Sequence, residues 1–141
     1  MIEYDNQTTS HYNLALIQKI AASMSKRNIE LILTDSDTIR LINAEHRGID
    51  SPTDVLSFPT HASNKRASLG SIVICDDYVI AASSRYAHAP QEEFVLLFIH
   101  GLLHLLGFDH ETDHGEMRRK EEQLIQKYAL PQSLIVRTQE E

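Results

Sequence analysis

His100-Gly101-Leu102-Leu103-His104-Leu105-Leu106-Gly107-Phe108-Asp109-His110 is the stretch on which the reading of this chain turns. His100 and His104 stand four positions apart, so on a helix they share one face with Cβ atoms about 5–6 Å apart. Two imidazoles at that separation can reach one ion at about 2.0–2.1 Å each. Gly107 can adopt a positive φ, which lets the chain leave the helix and swing back. His110 can then offer a third nitrogen from outside the helix. Three imidazoles suit one Zn²⁺ ion and leave a fourth tetrahedral position for water. The flanking Phe98, Ile99, Leu102, Leu103, Leu105 and Leu106 are apolar. Histidines in so oily a helix need partners, and a metal satisfies both. The alternative is a closed structural zinc site, with Asp109, Asp113 or His114 as fourth ligand.

The spacing also matches the H-E-x-x-H-x-x-G-x-x-H peptidases, with His100, His104, Gly107 and His110 in register. Position 101 is glycine, however, where that motif carries the glutamate acting as general base. Glycine can hold no proton. The stretch predicts a zincin-like metal helix without peptidase chemistry.

Upstream, Pro90 suits the first turn of the same helix, and Glu92-Glu93 complement its positive end. Downstream, roughly Gly115 to Tyr128 reads as an amphipathic helix. Leu69 to Cys75 reads as a strand with Ile72-Val73-Ile74 buried, and Asp76-Asp77 start a helix running to Tyr86. Pro52 and Pro59 confine any strand between them to Val55 to Phe58, near a sheet edge. His61 to Ala67 is polar and reads as a loop. Further out, Ile2 to Asp5 and Ile29 to Leu33 read as strands. An amphipathic helix is expected from Ser10 to about Met24. Another, capped by Ser36 or Asp37, ends near Gly48. The order implies an α+β fold with a small mixed sheet packed with helices. No repeat or linker divides residues 1–141, so one domain is expected.

The 141 residues can bury one substantial core, and 42% hydrophobic with 23% charged content is ordinary for a soluble protein. A lone cysteine, Cys75, can form no internal disulfide. With no leader or membrane-length apolar run, a cytoplasmic protein is expected. A net charge of −7 argues against generic nucleic-acid binding. Basic residues do cluster at Lys26-Arg27, Lys65-Arg66 and Arg118-Arg119-Lys120, where solvated faces are the plain reading. Arg47 taken alone suggests a helix-end ion pair with Asp50 or Glu45. His46, His61, His88 and His114 read as surface residues.

Two blocks carry a family resemblance. One is His100 to His110; the other runs from Leu41-Ile42-Asn43 through Arg47 and Asp50 to Pro52-Thr53-Asp54-Val55-Leu56-Ser57-Phe58-Pro59. In both, and in the order of elements across nearly the whole chain, the sequence resembles the YbeY family of bacterial zinc endoribonucleases, an rRNA maturation group. The resemblance implies zinc on His100, His104 and His110. It implies single-strand-specific endoribonuclease activity in 3′-end maturation of small-subunit (16S) rRNA and in ribosome quality control. It implies a catalytic role for Arg47, whose planar fork of donors suits a phosphodiester. It also implies rRNA, the small ribosomal subunit and an Era-type GTPase as partners, and neither DNA nor membrane. Thr53 and Asp54 are expected to tie down the turn. His46 and Phe108 depart from the family's usual tyrosines, Ser71 departs from its usual aspartate, and Leu41-Ile42-Asn43 varies its Leu-Asn pair. Two other readings compete: a non-catalytic ribosome-assembly factor with a structural zinc, and a zinc hydrolase of another ester or amide. A fourth protein ligand would favour the former.

Overall fold

The computed structural model describes residues 1–60 and 67–134. Along the chain run β1 (Ile2–Asn6), α1 (Ala15–Met24), β2 (Ile29–Thr34), α2 (Ser36–Arg47), β3 (Val55–Pro59), β4 (Gly70–Cys75), α3 (Asp76–Tyr86), α4 (Pro90–Leu105) and α5 (Glu116–Lys127). The strands form one sheet in the order β1-β2-β4-β3. β1, β2 and β4 are parallel, and β3 pairs antiparallel with β4, Leu56 opposite Val73. This mixed sheet with its helices is the expected α+β fold. The segment between Pro52 and Pro59 does form a short edge strand. Most of the loop expected at His61 to Ala67, together with Lys65-Arg66, lies outside the described residues.

Alternating side chains of a strand point to opposite faces, so each central strand feeds two cores. Leu31, Leu33, Ile72 and Ile74 join the large core with α1, α4 and α5, while Val73 and Cys75 join Ile39 of α2 and Leu56 of β3 on the opposite face. Cover on both faces explains why β2 and β4 are apolar almost without a break. α4 is apolar all round because it is enclosed: every residue from Glu93 to Leu103 is buried. At Gly101 the helix lies close against the sheet. A Cβ there would lie 2.7 Å from Ile72 Cγ2.

Three local expectations need correction. α1 begins at Ala15 rather than Ser10, because Ser10 Oγ and Tyr12 OH donate to the buried Asp76 carboxylate and Asn13 Oδ1 accepts from Ala15 N. The cap of α2 is Asp35, whose Oδ1 accepts from Thr38 N at 2.8 Å. Ser36 instead donates its N–H and hydroxyl to Asp77. Thirdly, the His88 ring is buried, 1% exposed, beside a Glu93 that is fully enclosed.

Candidate metal centre

α4 supplies His100 and His104, and the turn after it supplies His110. At Gly107, φ is +100°, and the returning Phe108 N donates to Leu103 O at 3.0 Å. This left-handed turn carries His110 back over the helix end. One nitrogen from each of the three rings lies within 4.8 Å of the other two. The ring centroids are 4.7, 5.2 and 5.3 Å apart.

The second ring nitrogens show that this group fits a cation. His104 Nδ1 lies 3.0 Å from Phe108 O, a carbonyl that can only accept, so Nδ1 carries the proton. His100 Nδ1 lies 2.8 Å from Glu121 Oε1, which accepts in the same way. In neutral rings both Nε2 atoms are then bare, and they face each other at 3.1 Å. Two lone pairs at that separation repel unless a positive charge lies between them. A tetrahedral ion with bonds of 2.0–2.1 Å spaces its ligands by roughly 3.4 Å. Burial, and then the neighbouring His100, hold the His104 imidazole below its ordinary pKa, which keeps it in the neutral, ligating form. The three histidines could therefore hold one metal ion.

Among the described residues no fourth side chain joins the group. Asp113 accepts from Gly115 N and Met117 N at 2.9 Å each, so it is committed to the start of α5. Asp109 Oδ1 accepts from Glu111 N, and His114 is exposed. The three rings instead open on a cleft of about 690 Å³. Its far wall is Thr53 to Ser57 and Pro59, with Arg47 beside them. Asp50, one of the two partners suggested for Arg47, is engaged by Arg40: Nε–Oδ1 is 2.8 Å. Gly48, at φ +69°, ends α2 directly after Arg47. Asp54 Oδ1 accepts from Val55 N at 2.8 Å, in keeping with a turn-fixing role, although Asp54 also lines the cleft. One guanidinium thus stands with three carboxylates, those of Asp54, Asp109 and Glu111. The described lining is not basic.

Of the departures, Ser71 faces away from α4, on the same sheet face as Val73, and donates to Glu30 Oε1 at 2.9 Å. His46 packs against Phe58, centroids 5.1 Å apart. Phe108 meets His104 through its backbone carbonyl, a contact that does not depend on a phenol hydroxyl. Position 101 faces the sheet at Ile72, so there is no room for the glutamate of the peptidase motif.

Sequence reasoning missed Glu121. Its signal was present: Met117, Glu121, Leu124 and Ile125 form the buried stripe of α5, and a carboxylate on an apolar stripe needs a partner.

A family model described as Endoribonuclease YbeY matches residues 2–129. Endoribonuclease YbeY of Sulfurimonas denitrificans is 52% identical over 139 residues, covering 99% of each chain. That of Wolinella succinogenes is 52% identical over 140 residues, again covering 99% of each. Among solved structures, the solution structure of TM1509 from Thermotoga maritima matches with a TM-score of 0.63 and 26% identity over 92% of each chain.

Proposed function

This chain belongs to the endoribonuclease YbeY family, and on that premise we propose that it is a zinc-dependent, single-strand-specific endoribonuclease acting in 3′-end maturation of small-subunit rRNA and in ribosome quality control. The observation that carries the reading is a single cleft lined by both the three histidines and Arg47. His100, His104 and His110 would hold the zinc, which when bound supplies Lewis acidity toward a phosphoryl oxygen and makes water a stronger acid.

The chain's own groups do the rest. Arg47 offers its fork of donors to the non-bridging oxygens and to the negative charge that grows on them. Asp54, Asp109 and Glu111 repel phosphates, so RNA is drawn to the position between Arg47 and the imidazoles rather than to the whole lining. β3 is the last strand of the sheet and lines the cleft, so its outer edge has main-chain donors and acceptors to offer. Unpaired bases can splay out and offer their full edges to such groups, which a duplex largely withholds, and this favours single strands. The small ribosomal subunit would present that RNA, with an Era-type GTPase as a further partner.

Single-turnover cleavage of labelled pre-rRNA fragments tests this. His104→Ala should lose both metal and cleavage. Arg47→Ala should keep metal and melting temperature yet cleave about 10²–10³-fold more slowly, the effect of removing one donor from a transition state. Arg47→Lys should rescue only in part, since it keeps charge but loses the fork. Cleavage by His104→Ala at the wild-type rate would exclude the metal mechanism. An unaffected Arg47→Ala would return Arg47 to the scaffold.

A further inference from the structure

α5 reaches the metal centre through one side chain. Glu121 is 2% exposed, and its Oε1 lies 2.8 Å from His100 Nδ1. Its other oxygen, Oε2, is buried with no hydrogen-bond partner, and among the described residues no lysine or arginine meets this carboxylate. A buried carboxylate without a cation is costly. Among the described residues, positive charge can reach this carboxylate only through the His100 ring, whose Nε2 faces His104 and His110.

We propose that Glu121 is a positioning residue for the metal. It fixes His100 as the Nδ1–H tautomer, aims the Nε2 lone pair at the ion, and raises the basicity of that nitrogen. A carboxylate behind a ligating histidine generally contributes 10–100-fold in metal affinity. His104 receives the weaker version of the same support from the Phe108 carbonyl, and His110 is exposed. His100 is thus the anchoring ligand. α5, an element separate from the helix and turn that carry the histidines, thus takes part in holding the metal. The proposal rests on the three-histidine reading, and its test keeps the two apart.

Zinc affinity of the full chain is measured by competition with a chromogenic chelator, beside Co²⁺ absorption spectra and melting in excess chelator. Wild type, His104→Ala, Glu121→Gln and Glu121→Ala are compared, with no RNA present. Glu121→Gln keeps shape and an amide oxygen for Nδ1–H but loses the charge. It should melt, metal-free, near wild type, bind zinc at least several-fold more weakly, and shift the Co²⁺ bands. Glu121→Ala should bind about 10–100-fold more weakly. Nitrogen-15 spectra of metal-free wild type should show His100 protonated at Nδ1. A His100 protonated at Nε2 with Nδ1 bare, or a folded Glu121→Gln with wild-type affinity and Co²⁺ spectrum, overturns the positioning role. If wild type binds zinc no better than His104→Ala, the three-histidine reading fails, and the proposal with it.

Discussion

Two buried histidine–glutamate pairs lie along α4, and they do different work. At its N-terminal end, His88 Nε2 meets Glu93 Oε2 at 2.7 Å, and His88 Nδ1 meets Ser133 Oγ at 2.9 Å. Both ring nitrogens have protein partners, so the imidazole is a strut. It ties the start of α4 to the segment carrying Leu134, which packs against Leu96 and Ile125. Near the C-terminal end, His100 Nδ1 meets Glu121, but Nε2 faces two more imidazoles at the head of a cleft. The same two residue types make a structural brace in one place and a site for a cation in the other. What decides is the surroundings of the second nitrogen.

The largest effect that would test this contrast is at the brace. Glu93→Ala leaves a buried imidazole without its acceptor and should cost about 3–5 kcal/mol of stability. Chemical denaturation measures it, and zinc affinity of the remaining folded protein should not change. Weakened zinc binding with stability intact would erase the distinction between the pairs.

A smaller effect sharpens the other end. Gly101→Ala improves helix propensity by about 1 kcal/mol, yet its methyl meets Ile72 Cγ2 and Cγ1 at 2.7 and 3.2 Å. Overpacking of this kind costs about 1–3 kcal/mol, so net destabilisation is expected. Because α4 carries both His100 and His104, zinc affinity should fall as well. In a double-mutant cycle, Ile72→Ala should absorb part of the penalty. Additive effects would show that α4 does not bear on β4 at this point.

Smallest is a pH effect. Burial holds His104 below its ordinary 6.5, so the unfolded chain takes up a proton that the folded one refuses. Stability of the metal-free protein should be full above about pH 6.5 and decline as pH falls from there toward the lower folded value. Melting temperatures of wild type and His104→Gln in excess chelator, taken from pH 8 to pH 5, isolate the contribution. An equal decline in both would remove it.

Legibility followed chain distance. Gly48 and Gly107 as helix ends, Pro90 as a helix start and the proline-bracketed edge strand are signals that act over a turn or two. The structure follows them. Asp35 was missed as a cap because Ser36 and Asp37 have equal claims by residue type. Only the contact with Asp77, 41 residues on, withdraws Ser36 from contention. His88 read as a surface residue in part for the same reason: Glu93 is five positions on, but its other partner, Ser133, is 45 positions away.

What the sequence by itself determined is the placement of three imidazoles around one point. A four-residue helical step and a positive-φ glycine are set by backbone geometry, whatever packs around them. Tertiary structure alone decided which polar partner each buried group would find. Glu121 behind His100, Arg40 rather than Arg47 on Asp50, and Ser10 with Tyr12 on Asp76 all join residues that share no helix or strand. A buried donor or acceptor must be satisfied by something. Sequence states that need, but the packing of elements far apart in the chain selects what answers it.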